Sequence, residues 1–141
     1  MNAKKINQLE EGSNFTPDFE KISQMTDKVI PVIVQNCKTK KVLLLAYANK
    51  EALELSLKNG LACFWSTSRK KLWLKGESSG DYLKLKEIRV NCEQNSLLYM
   101  VTPVQKGACH TEENGKNRET CFYRKLKSIT NNKIILERKS V

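Results

Sequence analysis

The stretch that decides the fold is VIPVIVQNCKTKKVLLLAYANKEALELSLKNG, residues 29–60. It opens with Val29–Asn36, which is rich in β-branched residues and predicts a strand. The polar residues 38–41 predict a tight turn, and the apolar run Val42–Ala48 predicts the returning strand. A hairpin of two buried strands therefore forms the predicted centre of the fold.

A helix is predicted directly after this hairpin. Asn49 is a favourable N-cap residue, and Leu53 and Leu57 lie four residues apart on one face of a helix spanning Glu51–Asn59. Gly60 accommodates the left-handed backbone that commonly ends a helix. The chain thus turns from extended to helical structure without a linker.

Further short strands are predicted outward from this stretch. They span Ala62–Ser66, Leu72–Lys75, Tyr82–Asn91, Leu97–Val104, Cys121–Leu126 and Lys133–Arg138, with loops over Gly76–Asp81 and Gly107–Thr120. Residues 1–28 are polar and predict an N-terminal arm with a short helix around Asp18–Ser23, and residues 127–141 predict a basic tail. Many short strands with few helices predict one β-rich α+β domain spanning residues 1–141.

The charge balance limits the partners to consider. The chain has 25 Lys and Arg against 15 Asp and Glu, for a formal net charge of +10. The excess lies in residues 58–89 and 124–141, each with a net charge of +5. Such a balance favours an anionic partner, either nucleic acid or a phosphorylated small molecule. The tail carries no aromatic-basic RNA signature, so its charges predict a solvated face.

Membrane, secreted and disulfide-rich classes are not favoured. The longest apolar run, Val42–Ala48, is far below the roughly 20 residues that a spanning helix needs. The N-terminus has no apolar signal region, so a cytoplasmic location is expected. The five cysteines are an odd number in a chain of this type, which argues against a disulfide framework.

The cysteines divide into two groups by their surroundings. Cys37 and Cys63 belong to apolar stretches and are expected to be small buried residues. Cys92, Cys109 and Cys121 lie in polar sequence, and the only histidine, His110, follows Cys109. Their spacing does not form a Cys-x-x-Cys pair, so spacing alone indicates zinc only weakly.

Six segments together carry a resemblance to one family. Their order and spacing are specific, although each alone is ordinary. They read LAYANKEAL at 45–53, FWSTSR at 64–69, LWLKGESSG at 72–80, NCEQN at 91–95, GACHT at 107–111 and CFY at 121–123. The chain resembles the phosphoribosyl-AMP cyclohydrolases of histidine biosynthesis, and the likeness extends from about Leu9 to Leu126.

The resemblance implies both an activity and a metal. Such enzymes add water to C6 of an adenine that carries a second phosphoribosyl group on N1, and the N1–C6 bond opens. Three zinc ligands are implied at Cys92, Cys109 and Cys121, drawn from both subunits of an intertwined homodimer. Three thiolates leave one tetrahedral position open, as in catalytic zinc sites, where bound water ionises near pH 7. Because three thiolates make that water less acidic, His110 is the candidate for moving the proton.

The same resemblance implies a small mixed sheet or pseudobarrel with one or two helices. At 141 residues the chain leaves no room for the pyrophosphohydrolase domain often fused to such enzymes. A magnesium ion is implied beside the first cysteine, where family members carry three aspartates. Here those positions are Asn91, Glu93 and Asn95, so one carboxylate remains of three and any Mg²⁺ would bind more weakly.

A substrate with a phosphate at each end needs two anion sites. One is expected at Ser66, Ser68 and Arg69, since arginine binds phosphate oxygens in pairs. The other is expected at Lys75 and the following loop, through exposed backbone N–H groups. Trp65 is a candidate to flank the base. The candidate loop residues are Gly76, Glu77, Ser78, Ser79 and Gly80.

Two further functions remain open at this point. The loss of two carboxylates among Asn91, Glu93 and Asn95 allows a cyclohydrolase or deaminase acting on another purine nucleotide, and Asp81 in place of the usual asparagine is a smaller departure. A zinc-stabilised basic module that binds RNA or protein is the alternative from another class, and it predicts affinity that falls steeply with salt. The favoured prediction includes a phosphorylated nucleotide substrate and excludes nucleic acid and membrane partners.

Overall fold

The computed structural model describes residues 2–128 and 131–138. These residues contain three helices and ten strands in two compact units, one of residues 26–121 and one of residues 2–25 with 122–128 and 131–138. The helices are α1 (Ala3–Glu11), α2 (Lys21–Gln24) and α3 (Lys50–Asn59). The strands are β1 (Ile30–Asn36), β2 (Val42–Ala48), β3 (Cys63–Ser66), β4 (Lys71–Leu74), β5 (Leu83–Val90), β6 (Leu97–Pro103), β7 (Glu112–Glu113), β8 (Lys116–Asn117), β9 (Arg124–Ser128) and β10 (Ile134–Arg138).

A four-stranded mixed sheet, in the order β2-β1-β6-β5, forms the larger unit's framework. β1 pairs antiparallel with β2, as the hairpin prediction required, and parallel with β6. β5 and β6 are antiparallel neighbours, and their register shifts between Leu85 and Glu87. The strands β2 and β5 therefore form the two edges of the sheet, a placement that matters for the cysteines described below.

The core lies on one face of this sheet. Val32 and Val34 of β1 are completely buried, and they pair with Leu97 and Tyr99 of β6. The ring of Phe64, in the β3–β4 hairpin, stacks on Tyr99 at a centroid distance of 5.7 Å. Burial of such large side chains supplies most of the favourable free energy of folding.

The helix α3 confirms the prediction made from its caps. The Asn49 side chain accepts a hydrogen bond from the Ala52 N–H at 2.8 Å, and Gly60 ends the helix with φ of +69°. The buried Ser56 hydroxyl donates to the Ala52 carbonyl at 2.9 Å and accepts the Cys63 N–H at 2.9 Å. This pair of bonds fixes the helix to the start of β3.

The smaller unit joins the two ends of the chain. The Tyr123 hydroxyl donates to the Glu10 carbonyl at 2.6 Å, and Arg124 donates to the Gly12 carbonyl at 3.0 Å. The strands β9 and β10 form a hairpin, in which Glu137 pairs with Lys125 at 2.9 Å. Part of the predicted basic tail is therefore a paired strand, and not only a solvated face.

Two sequence predictions need correction. The described residues contain three helices and not one or two, because part of the predicted N-terminal arm folds as the helix α1. The short helix expected around Asp18–Ser23 is confirmed as α2, which begins three residues later and ends one residue later. The described strands form open sheets that do not close into a barrel.

None of the helices in residues 2–128 and 131–138 is long and apolar enough to cross a membrane.

Candidate functional site

Two of the candidate metal cysteines, Cys109 and Cys121, lie side by side in the larger unit. The N–H groups of Ala108 and Cys109 both donate to the Arg118 carbonyl, at 3.0 and 2.9 Å, which curls this segment back on itself. The Cys121 N–H donates to the Leu43 carbonyl at 2.7 Å, which fixes the second cysteine at the edge strand β2. Main-chain bonds thus hold both cysteines in place.

The side chains of Cys109 and Cys121 are hydrogen-bonded to each other, and this bond shifts the pKa values of the two thiols in opposite directions. The hydrogen bond from the Cys121 thiol lowers the pKa of Cys109 well below its ordinary value. The Thr111 hydroxyl, 3.0 Å from the Cys109 sulfur, and the charge of His110 act in the same direction. The same hydrogen bond, together with burial, raises the pKa of Cys121. Cys109 is therefore the thiol of the pair that ionises more readily, and a metal ion bound there would displace the thiol protons.

Lys75 is an unusual feature of this site. Its side chain is only 6% exposed, and its charge interacts with those of Asp81, Cys121 and Cys109. Burial lowers the pKa of Lys75, and interactions with Asp81 and with the two cysteines oppose that shift. The sequence places Lys75 in a phosphate loop, but the structure places its ammonium group beside the cysteine pair.

Cys92 does not join the pair within one chain. It lies exposed in the turn after β5, at the sheet edge opposite to β2. Among residues 2–128 and 131–138, no three His, Cys, Asp or Glu side chains group closely enough to hold a metal ion. One chain therefore brings together two of the three predicted zinc ligands.

The three candidate magnesium residues, Asn91, Glu93 and Asn95, lie in a turn and not in the extended segment that the sequence predicted, and their side chains contact one another there. The Asn91 side-chain oxygen accepts the N–H groups of Asn95 and Ser96, each at 2.9 Å. The Asn91 amide donates to Asn95 at 2.6 Å, and the Asn95 amide donates to Glu93 at 3.3 Å. These side chains stabilise the turn itself.

The residues of the first predicted anion site share one turn between β3 and β4. The Ser66 hydroxyl accepts the Arg69 N–H at 3.2 Å and lies 3.3 Å from the Ser68 hydroxyl. The Arg69 side chain is exposed, so it is accessible to a ligand. Trp65 donates from its ring nitrogen to Asp27 at 2.7 Å, an anchoring contact that the sequence did not reveal.

The glycine loop after β4 is a tight turn. Gly76 has φ of +96°, and a Cβ there would lie 2.3 Å from the Tyr82 nitrogen, so only glycine fits. The Gly80 N–H donates to the Gly76 carbonyl at 2.7 Å. Glu77, Ser78 and Ser79 project from the loop and are exposed. The loop thus presents side chains on its outer surface, while Lys75 points inward.

Sequence reasoning missed three residues that shape the site. Thr111 contacts the Cys109 sulfur, and Arg118 supplies the carbonyl that orients this cysteine. Asp81 is 3% exposed and accepts a hydrogen bond from Asn117 at 2.5 Å. For Thr111 a signal existed, since it lies two residues after a candidate ligand. The contact between Asp81 and Asn117 spans 36 residues and has no local signal.

Comparison with known proteins identifies the family. The sequence profile of the family Phosphoribosyl-AMP cyclohydrolase matches residues 44–123. The chain is 56% identical to the phosphoribosyl-AMP cyclohydrolase of Archaeoglobus fulgidus over 99 aligned residues. These residues make up 70% of this chain and 85% of that protein. It is 49% identical over 109 residues to that of Cenarchaeum symbiosum, with 77% and 92% covered.

A longer relative also matches. The histidine biosynthesis bifunctional protein of Aquifex aeolicus is 44% identical over 98 residues, which cover 70% of this chain and 45% of that protein. The matched segment, residues 44–123, contains the cysteine pair, the glycine loop and the turn with Cys92. The chain therefore belongs to the phosphoribosyl-AMP cyclohydrolase family of hydrolases.

Proposed function

We propose that the chain opens the adenine ring of 1-(5-phosphoribosyl)-AMP, in histidine biosynthesis, by zinc-dependent hydrolysis of the N1–C6 bond. Water adds to C6, the N1–C6 bond breaks, and N1 takes up the proton. The observation that carries this proposal is the pair formed by Cys109 and Cys121. It places two soft sulfur ligands together inside the segment that matches the family.

The donor set fits zinc, but one chain does not complete it. The Cys121 N–H is hydrogen-bonded to the edge strand β2, whereas Cys92 follows the opposite edge strand, β5. Neighbouring strands lie about 4.8 Å apart, so the three steps from β2 to β5 amount to a distance on the order of 14 Å between the two edges. A zinc–sulfur bond is about 2.3 Å long. We therefore infer a homodimer in which Cys92 of one chain completes the cysteine pair of the other.

The residues around the pair suit hydrolysis. A zinc ion bound there would lower the pKa of a water molecule from about 15.7 toward 7 and so supply hydroxide at neutral pH. The buried Lys75 ammonium offsets negative charge on the thiolates, which would otherwise oppose that ionisation. The exposed His110 adjoins Cys109 and is the group proposed to move a proton between water and N1.

The residues of the predicted magnesium site do not fit that ion well. Mg²⁺ favours carboxylate oxygens in octahedral geometry, and only Glu93 supplies a carboxylate. The Asn91 oxygen already accepts two backbone N–H groups. We therefore propose that catalysis in this chain does not depend on Mg²⁺ held at this turn.

The change Glu93→Gln tests that proposal. We expect kcat/KM to stay within about threefold of the wild-type value, because glutamine keeps the hydrogen bond to Asn95 and no bound metal is lost. Steady-state kinetics with and without added Mg²⁺ measure this. A loss of a hundredfold, or a steep Mg²⁺ dependence that disappears in the variant, would show that the turn holds a required ion.

The proposed activity is tested with purified protein and synthetic substrate. We expect ring opening, followed by ultraviolet absorbance, and about one zinc per chain by elemental analysis. Related purine nucleotides such as AMP serve as controls and should not react. No turnover by the zinc-loaded protein, with and without Mg²⁺, would refute the proposal, and faster turnover of another purine nucleotide would favour the altered-substrate hypothesis.

The departures that suggested another substrate have structural explanations. Asp81, at the position where the family resemblance implies asparagine, is buried and accepts a hydrogen bond from Asn117. Asn91 and Asn95 bond to each other within their turn. Because these residues stabilise the local structure at their own positions, their presence does not require a different substrate. We therefore retain 1-(5-phosphoribosyl)-AMP as the proposed substrate.

A further inference from the structure

A polar cleft lies in the larger unit, and the proposed mechanism does not use it. Its volume is about 360 Å³, within the roughly 300–1,000 Å³ of small-molecule pockets. Three segments of the larger unit form its walls: the glycine loop after β4, the turn 105–107 and the β7–β8 hairpin. Its lining includes Ser79, Gln105, Lys106, Lys116 and Asn117.

The walls of the cleft are held at close distance. A Cβ on Gly107 would lie 2.6 Å from the Cβ of Asn117, so only glycine allows this approach. A Cβ on Gly80, whose φ is +81°, would lie 3.1 Å from the side-chain nitrogen of Gln105. The bond from Asn117 to the buried Asp81 then ties the hairpin to the glycine loop. The cleft is therefore built by specific contacts between segments distant in sequence.

The cleft offers positive charge to a ligand. Lys106 and Lys116 are exposed, and within the described part of the chain neither forms an ion pair. The single acidic group of the lining, Asp81, is 3% exposed and engaged by Asn117. The Ser79 hydroxyl accepts the Asp81 N–H at 3.1 Å and keeps its own proton for donation. The cleft therefore offers the ammonium groups of two lysines, the Ser79 hydroxyl and the Gln105 amide as hydrogen-bond donors. Such a set of donors suits the oxygens of a phosphate monoester.

The position of the cleft links it to the reaction. Gly107 lies two residues before Cys109, and Asn117 lies four residues before Cys121. Asp81 contacts Asn117 on one side and interacts with Lys75 on the other, and Lys75 in turn interacts with both cysteines. Two walls of the cleft are therefore continuous along the chain with the segments that carry Cys109 and Cys121.

We propose that this cleft binds one of the two 5′-phosphate groups of the substrate, with Lys106 and Lys116 as its cationic ligands. This rests on the proposed function. It moves the second anion site from the Lys75 ammonium, which is buried, to two lysines that follow later in the sequence. The phosphate comes either from the AMP half or from the ribose 5-phosphate half on N1, and the experiment distinguishes the two.

The test is the double variant Lys106→Gln, Lys116→Gln. Hydrogen bonds to charged groups contribute about tenfold or more in affinity, so we expect KM to rise at least about tenfold with kcat within about threefold. The matched control is Lys38→Gln, Lys58→Gln, which removes two exposed lysines elsewhere and should leave KM unchanged. Circular dichroism and thermal melting confirm that both proteins fold.

Two fragments identify the phosphate. AMP and ribose 5-phosphate serve as competitive inhibitors, and the Ki of only the fragment whose phosphate enters the cleft should rise in the variant. An unchanged KM with unchanged Ki values for both fragments would overturn the proposal. Calorimetric titration with the two fragments gives the same comparison without turnover, so an inactive wild-type protein would refute the proposed function and still leave the cleft testable.

Discussion

Replacing Cys109 by serine should abolish zinc binding and lower kcat/KM by more than about a hundredfold. Loss of a group that only supports a metal ligand typically costs tenfold to a hundredfold, and loss of the ligand itself costs more. Serine keeps the size of the side chain and can still bond to Thr111, so the fold should survive. Its hydroxyl does not ionise near neutral pH and is a poor zinc ligand.

Zinc content by elemental analysis and steady-state kinetics measure this effect. The matched control is Cys37→Ser, since Cys37 is half-buried and its sulfur lies 3.2 Å from the Thr102 hydroxyl, outside the candidate site. That variant should keep its zinc and its activity. Full activity in Cys109→Ser, with zinc still bound, would show that the ligand assignment is wrong.

The sequence predicts the central fold well because its signals there are local. The hairpin of β1 and β2 follows from two apolar runs with a polar turn between them, and α3 follows from its two caps. The helix α1 has weaker signals. Its apolar residues Ile6 and Leu9 are both exposed, so no buried stripe marks it. The two-residue strands β7 and β8 are too short for any alternation to show.

The candidate site shows the same limit at longer range. The sequence proposes Cys109, Cys121 and the glycine loop as site residues through the family resemblance of the motifs that contain them. It does not predict that Lys75 is buried beside Cys109 and Cys121, which lie more than thirty positions further along the chain. It also does not predict the cleft with Lys106 and Lys116, whose walls come from three segments. A sequence motif indicates which chemical groups a site contains. The direction in which each side chain points depends on tertiary contacts, which a motif does not show.

The placement of the cysteines has a consequence for the number of chains in the site. If Cys92 must come from a second chain, each chain carries two separate half-sites. One half-site is the exposed turn after β5, and the other is the pair of Cys109 and Cys121 near β2. A closed two-fold dimer then contains two complete sites, each built from both chains. Damage to one half-site can therefore be compensated by a partner chain damaged in the other.

Mixing two inactive variants should accordingly restore activity. Cys92→Ser and Cys109→Ser, unfolded together and refolded, form mixed dimers in which one site receives intact Cys92 from one chain and an intact pair from the other. Random pairing makes half of the dimers mixed, each with one working site, so about a quarter of wild-type activity should return. The matched control mixes Cys109→Ser with Cys121→Ser, which damage the same half-site, so that mixture should stay inactive. A mixture of Cys92→Ser and Cys109→Ser with no restored activity, although analytical ultracentrifugation shows dimers, would mean that Cys92 does not complete the site across the dimer.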